Sequence, residues 1–371
     1  TSYKFTREDK TLLDGSDNTA LGMQALKSED GGNRSTAIGT QALYSQTTSA
    51  PAHINNVGVG VFAGYRNVTG TNNTYVGTSA GLGTAGGAVS NSNNRAVGAS
   101  ALLSITDGGE NVAIGNATGD ALTTGHNNVF VGRAAGSATV EVSDAVIIGA
   151  DAAESNMTTA ANGTVAVGKA ALAALTSGAE NVAVGHEALN DLTTGGANVA
   201  IGYRAADALA VGESHNIAIG SNAMEAVDEG TAGGDADHNI AIGSGALTGG
   251  DFGGSDRQLQ GNIAIGGQAM DATGANAQTG TIAIGKSALT ALTSGAGSTA
   301  VGYNSQAALT TGSGNTSVGY NSLDAVVGGS HNVAVGYDAL TTAAGNASHN
   351  TAVGRDALKT WNVNGDGNNT A

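Results

Sequence analysis

The sequence contains no cysteine and a single proline in 371 residues, and only 4% of its residues are aromatic and 12% charged. Without cysteine, disulfides and thiolate metal sites are excluded, and the redox compartment stays open. No apolar run approaches the ~18 residues that a membrane span requires, and no signal peptide is evident. We therefore expect neither membrane insertion nor a disulfide framework.

Basic residues are also scarce. The chain has 14 Lys and Arg against 30 Asp and Glu, a formal net charge of −16. Phosphate contacts require clustered bases, so the composition argues against a nucleic-acid partner. The acidic balance favours solubility, including at high salt.

Glycine is abundant, with 60 residues, yet the chain is 40% hydrophobic. Disordered segments combine low hydrophobicity with dense charge, which does not describe this sequence. Its Val and Ile residues instead recur at fixed intervals. The composition therefore indicates periodic order and not a disordered, glycine-rich chain.

The interval is set by a short motif of the form Asn-x-Ala-(Ile or Val)-Gly, of which nineteen copies align on the Gly between Asn18 and Gly354. The Asn is present in fourteen copies and the central Ala in fourteen. Ten of the eighteen spacings between motif glycines are 17 residues, and the others are 18 to 23. A fixed period of this length is typical of a solenoid. At about 4.8 Å per coil, nineteen coils predict a rod of roughly 85–90 Å.

Each copy predicts a strand followed by a helical turn. Branched residues alternate with a small residue between Asn and Gly, the pattern of a strand buried on both faces in a parallel stack. Apolar residues three, four and seven positions after the Gly favour a helical turn, and Thr-Thr-Gly closes the coil. The representative repeat positions are Asn181, Ala183, Val184, Gly185, Leu189, Leu192, Asn198, Ala200, Ile201 and Gly202. The predicted fold is thus a mainly β repeat solenoid with short helical turns.

Two features of the stack have alternative interpretations. The Asn column forms either a ladder between coils or separate bonds within each turn. The branched residues are expected to pack inside the coil, so the Ala face would form an apolar stripe that monomers rarely expose. That stripe predicts a homotrimer, with a monomeric flattened solenoid as the alternative. Tyr75, Phe130 and Ile147 would then widen the interface locally.

The segments NTALGMQAL (18–26), STAIGTQALYSQTT (35–48), NVAVGYDALTT (332–342) and NTAVGRDALKT (350–360) resemble the repeats of phage tail-fibre proteins, which often precede a self-cleaving intramolecular chaperone domain. The likeness covers almost the whole chain from Asp17. The shorter motif is also similar to the head repeats of trimeric autotransporter adhesins, although those repeats are shorter. The resemblance implies a homotrimeric fibre on a virion or a cell surface, and it specifies no receptor.

Candidate sites are few. The seven His residues lie mostly in turns and are either solvent-facing or arranged as a metal-binding ring around a trimer axis. Acidic loops in the two longest coils contain Asp235, Asp237, Asp251 and Asp256, and such Gly-Asp clusters either bind Ca²⁺ or act as ordinary acidic loops. The long coils 39–60, 77–98 and 220–266 are candidates for surface contacts.

No motif for a nucleophile or a phosphate loop is found. We expect a protein that is not an enzyme, with no cofactor and no metal.

The domain plan is an N-terminal cap or linker (1–16), a solenoid of nineteen coils (17–360) and the start of a truncated repeat (361–371). The chain opens on Thr1 and not on Met, so we expect a piece of a longer protein.

The predicted function is that of a structural fibre segment for host attachment or spacing, with itself and a host surface glycan or protein as partners. The alternatives are a bacterial adhesin stalk or extracellular filament, and an ice- or glycan-binding solenoid. The expected location is the virion, the extracellular space or the cell surface.

Overall fold

A computed structural model of the protein describes residues 17–29, 31–47, 52–84, 89–227, 235–249, 258–273, 277–341, 346–360 and 367–371. The chain divides into two compact units, Thr1–Ala179 and Glu180–Ala371. Each unit is a stack of short parallel strands, one from every copy of the motif. The predicted cap (1–16) lies outside the described residues, as does most of the truncated repeat (361–366).

The strands of the first unit are β1 (Thr19–Leu21), β2 (Gly32–Asn33), β3 (Thr36–Ile38), β4 (Ala52–His53), β5 (Val57–Val59), β6 (Thr74–Val76), β7 (Arg95–Val97), β8 (Val112–Ile114), β9 (Val129–Val131), β10 (Val146–Ile148) and β11 (Val165–Val167). Those of the second are β12 (Val182–Val184), β13 (Val199–Ile201), β14 (Ile217–Ile219), β15 (Ile240–Ile242), β16 (Leu259–Gln260), β17 (Ile263–Ile265), β18 (Gln278–Thr279), β19 (Ile282–Ile284), β20 (Thr299–Val301), β21 (Thr316–Val318), β22 (Val333–Val335) and β23 (Thr351–Val353).

Within each unit, every three-residue strand pairs in parallel with the motif strand of the next coil. The register places like positions side by side: Val182 opposite Val199, Ala183 opposite Ala200 and Val184 opposite Ile201. Two-residue strands form small separate sheets, β2 with β4 and β16 with β18. The predicted parallel β-solenoid is confirmed.

The predicted helical turns are wrong. In the described residues the one helix is a single 3₁₀ turn, Thr159–Ala161, and the segment after each motif Gly is a series of tight turns. Alternate residues there are left-handed, with φ of 57° at Glu187 and 50° at Leu189. The Leu189 N–H donates to the Ala205 carbonyl of the next coil at 3.0 Å. Because these backbone bonds run between coils, the segment satisfies its polar groups without the i to i−4 bonds of a helix.

The core lies inside each coil and is built from Ala and Leu. The central strand residue points inward, and Ala183 and Ala200 are fully buried, as are Leu189 and Leu192 from the turns. The expectation that branched strand residues fill the interior is therefore wrong. The coil is narrow, and two Leu side chains occupy most of its interior. The strand can therefore contribute little more than a methyl group.

Three large side chains take the place of the central Ala, and they are buried, which corrects the expectation that they widen an outer interface. Tyr75, Phe130 and Ile147 have no exposed surface. Space for them comes from glycine at the position usually held by the first Leu. A methyl group on Gly81 would lie 2.2 Å from the Tyr75 ring, and one on Gly119 would lie 2.7 Å from the Phe130 ring. The Tyr75 hydroxyl donates to Asn91 Oδ1 at 2.5 Å, and burial raises the pKa of Tyr75 well above its usual value.

The motif Asn residues form the ladder between coils. The Asn198 N–H and Nδ2 both donate to Asn181 Oδ1, each at 3.1 Å, and Asn198 Nδ2 also donates to the Glu213 carbonyl at 2.7 Å. The same bonds recur at Asn216, 18 residues further on. Buried amides of this kind are costly unless they are satisfied, so the ladder fixes the register of each coil on the previous one.

A gap in the ladder gives a stability prediction. The Thr281 N–H donates to Asn262 Oδ1 at 3.0 Å, but the buried Thr281 Oγ1 has no hydrogen-bond partner. We expect Thr281→Asn to supply the missing amide and raise the unfolding free energy by about 1 kcal/mol. Urea denaturation measures this, with the exposed Thr279→Asn as the control; an unchanged or lower stability for Thr281→Asn would contradict the prediction.

Candidate functional site

The first and third residues of the three-residue strands point outward and form what we call the outer strand face. These residues are Val, Ile, Leu or Thr, with Arg95 as the one charged residue among the described strands. Many third-position residues are substantially exposed, for example Ile114 at 44% and Ile201 at 39%. The unpartnered apolar stripe predicted for the solenoid is therefore present, but it consists of branched residues and not of Ala.

Next to this face lies a second row, the post-glycine column, made of the residue directly after each motif Gly. Its charged members are all basic: Arg133, Lys169, Lys286 and Arg355. None of its nineteen members is Asp or Glu, although the chain has 30 of them. The acidic charge of the protein is thus excluded from both rows.

Rings in the post-glycine column stack on one another where consecutive coils supply them. The centroids of Tyr303 and Tyr320 are 5.1 Å apart with ring planes at 11°, and those of Tyr320 and Tyr337 are 5.2 Å apart at 7°. Arg355 continues the row, with its guanidinium carbon 5.4 Å from the Tyr337 ring centroid. His186 and Tyr203 form a similar pair at 5.6 Å.

Acidic residues surround the end of this row without entering it. Arg355 Nε lies 3.5 Å from Asp356 Oδ2. Lys359 Nζ lies 2.7 Å from carboxylate oxygens of both Asp338 and Asp356. The hydrogen bond from Lys359 lowers the pKa of Asp356 below its usual value, so this carboxylate already has a cationic partner besides Arg355.

A further charged group links three coils of the second unit. Arg204 contacts Asp207, Glu187 and Glu225, with the Arg204–Asp207 pair at 2.6 Å. Burial raises the pKa of Asp207 despite the bond from Arg204. All partners are supplied by the protein itself, which makes this a structural network.

The acidic loop candidates do not form a metal site in the described residues. Asp237 Oδ1 accepts from the Ser214 N–H at 2.6 Å, and Asp235 Oδ2 accepts from Gln260 Nε2 at 3.1 Å. Asp251 and Asp256 lie outside the described residues. No group of three metal-ligating side chains occurs in the part of the chain that the structure describes.

Four of the seven histidines stack in two pairs. The His215 and His238 centroids are 4.8 Å apart, and those of His331 and His349 are 5.3 Å apart. Each pair occupies the turn before the motif Asn of neighbouring coils. The pairs extend the surface rows of like residues along the stack.

A shallow groove of about 360 Å³ in the first unit brings together Ser90, Asp107 and His126. The Ser90 hydroxyl donates to Asp107 Oδ1 at 2.8 Å, and His126 Nδ1 accepts from the Gly109 N–H at 3.0 Å. Serine and histidine are therefore engaged with other groups. This arrangement does not form the serine–histidine pair of a nucleophilic enzyme.

The representative repeat positions have structural roles. Asn181 and Asn198 form the ladder, Ala183, Ala200, Leu189 and Leu192 form the core, Val184 and Ile201 belong to the outer strand face, and Gly185 and Gly202 end the strands. Sequence reasoning missed the post-glycine column. Its signal was available, because five consecutive copies read Lys, Tyr, Tyr, Tyr and Arg at this position.

In comparisons with known proteins, no family model and no curated sequence matches this chain. Within the described parts of the chain, no helix has the length and apolarity needed to cross a bilayer. The architecture itself defines the class, a parallel β-solenoid repeat protein.

Proposed function

We propose that the chain is a length-building segment of an extracellular fibre, assembled as a homotrimer through the outer strand face. The observation that supports this most strongly is that the described outer strand face has no acidic residue and a single charged residue, Arg95, in a protein of net charge −16. Interface cores are depleted of charged residues in the same way. A solvated face would be expected to carry some of the 30 acidic residues.

The solenoid supports the length-building part of the proposal. Nine stacked strands in the first unit and ten in the second correspond to about 38 and 43 Å at 4.8 Å per coil. Since each coil contacts only its neighbours, added copies lengthen a stack without changing its cross-section. The repeat resemblance favours a virus tail fibre used for host attachment, with a bacterial adhesin stalk or filament as the alternative.

Self-association is tested by light scattering of the purified chain. We expect the mass of three chains, and a monomeric mass at micromolar concentration would contradict the trimer. The double variant Ile114→Asp with Ile201→Asp is expected to be a folded monomer, because both side chains are already 44% and 39% exposed and a buried, unpaired carboxylate opposes assembly.

The matched control is Thr69→Asp with Thr279→Asp, which adds two carboxylates to exposed residues outside the outer strand face. It should leave the mass unchanged. If the control also loses assembly, the cause is the change in net charge and not the outer strand face. The sequence beyond residue 371 separates the two settings: a chaperone domain favours a tail fibre, and a membrane-anchoring segment favours an adhesin.

A further inference from the structure

Five consecutive coils of the second unit present an unusual row. The post-glycine column there contains Lys286, Tyr303, Tyr320, Tyr337 and Arg355 in order. The tyrosines are 42%, 44% and 48% exposed, and the Arg355 side chain is 78% exposed. A base thus stands at each end of three exposed tyrosines in an otherwise acidic protein. We call this set the tyrosine row.

The stacking decides which part of each ring is available. Tyr320 lies between Tyr303 and Tyr337 with nearly parallel planes, so both of its faces are covered and its edge and hydroxyl remain. No described residue forms a hydrogen bond with these three hydroxyls, and none forms an ion pair with Lys286. The row therefore offers one unused hydroxyl per coil, repeated about every 5 Å.

An apolar strip runs beside the hydroxyls. Each member of the row follows a third-position residue of the outer strand face by two residues, which limits their backbone separation to about 7 Å. These neighbours include Ile284, Val318 and Val353, exposed at 37%, 41% and 59%. In a trimer that covers the outer strand face, the hydroxyls and positive charges of the row therefore lie directly beside the covered face.

We propose that the tyrosine row binds a linear acidic polysaccharide, with one sugar per coil over five coils. An extended chain of β-1,4-linked hexopyranoses advances per sugar by nearly the coil spacing. Successive sugars face opposite ways, so like groups face the row at every second coil, and the first and fifth sugars face it alike. Sugar hydroxyls bond to the tyrosine hydroxyls. Carboxylates pair with Lys286 and Arg355.

The charge distribution selects this ligand. Two bases over five coils suit a uronate polymer, whose carboxylates face one side only at alternate sugars, whereas a nucleic acid needs many clustered bases. Asp356 competes for Arg355, but it also accepts from Lys359, and its contact with Arg355 is 3.5 Å. A ligand carboxylate therefore gains a largely exposed guanidinium.

The site deepens the attachment part of the proposed function and rests on it, but it does not depend on self-association. Calorimetric titration of the full chain with β-1,4-linked oligomannuronates of two to eight sugars tests it. We expect affinity to rise with length up to five sugars and then level off. Neutral β-1,4-linked manno-oligosaccharides of equal length should bind at least about tenfold more weakly. Equal affinities for the two series, or no dependence on length, would overturn the proposal.

Variants test the assigned groups. Tyr320→Phe keeps the ring stack and removes one hydroxyl, so binding should weaken about fivefold. Lys286→Gln and Arg355→Gln should weaken binding and reduce its dependence on salt. The controls Tyr203→Phe and Lys169→Gln alter the same column outside the row and should change nothing. Equal losses in variants and controls would overturn the proposal.

Light scattering of the same variants separates this site from the assembly. If Tyr320→Phe lowers the mass of the oligomer and no oligomannuronate binds, the row is a contact between copies and the proposal is wrong. If the wild type is monomeric but binds five-sugar oligomannuronate as expected, the glycan site stands and the trimer fails.

Discussion

Replacement of Gly202 by alanine is expected to lower the unfolding free energy by about 3 kcal/mol or more. The backbone at Gly202 has φ of 141°, and an added methyl carbon would lie 2.4 Å from the Gly220 carbonyl oxygen of the next coil. That oxygen accepts from the Ala223 N–H at 3.3 Å, and the Gly220 N–H donates to the Ile201 carbonyl at 2.8 Å, so the peptide cannot move without disturbing these bonds. Urea denaturation measures the loss, and hydrogen exchange at Ile217–Ile219 locates it.

The matched control is Gly297→Ala. Gly297 also has positive φ, 68°, but an added methyl carbon meets nothing within 4 Å. Gly297→Ala should lower the unfolding free energy by only about 1 kcal/mol, the cost of placing an alanine in the left-handed conformation. Similar losses in the two variants would mean that backbone strain, and not the close approach of the coils, dominates at Gly202.

The second large effect is expected at Phe130, whose ring fills the space left by Gly119. Phe130→Ala should cost about 3–5 kcal/mol, since the cavity is fully buried. Gly119→Leu alone should cost about 1–3 kcal/mol by overpacking. Combined, they restore the usual Ala and Leu of neighbouring coils, and a coupling of about 2 kcal/mol should appear in the double-mutant cycle.

Backbone conformation does not prevent this rescue. Gly119 has φ of 55°, and Leu102 and Leu189 adopt 49° and 50° at the equivalent position. The control pairs Phe130→Ala with Gly64→Leu, a glycine at the same position beside Tyr75. That pair should show no rescue. If the losses of stability from Phe130→Ala and Gly119→Leu simply add in the double variant, the proposed exchange of volume between the two positions is contradicted.

The period, the strands and their parallel stacking followed from the sequence, because nineteen copies fix each position independently. The sequence did not show which face of the strand points into the coil. Alternation shows that Ala183 and Val184 lie on opposite faces, but both are apolar, and the pattern alone does not say which one is inside. The decision comes from interior volume, which Leu189 and Leu192 nearly fill.

The turn after the Gly was misjudged for a related reason. Apolar residues at three, four and seven positions suit a helix, and they also suit two tight turns that direct Ala188, Leu189 and Leu192 inward. Leucine with positive φ is uncommon, so a leucine at this position does not predict the left-handed conformation that the structure shows. Bonds to neighbouring coils, as between Leu189 and Ala205, stabilise it. The sequence shows that tyrosine recurs at one position of consecutive repeats. Only the register of the coils shows that these rings stack.

The Asn ladder has one direction throughout each unit. In every pair the later Asn donates and the earlier one accepts, as with Asn198 and Asn181 or Asn73 and Asn56. A finished coil therefore displays a fixed, unfilled acceptor on the side where the next residues of the chain arrive. Closing each new coil involves a loop of about 17 residues, a small entropic cost. The chain is thus suited to ordering one coil at a time, from its N-terminus onward, while it is still being synthesised.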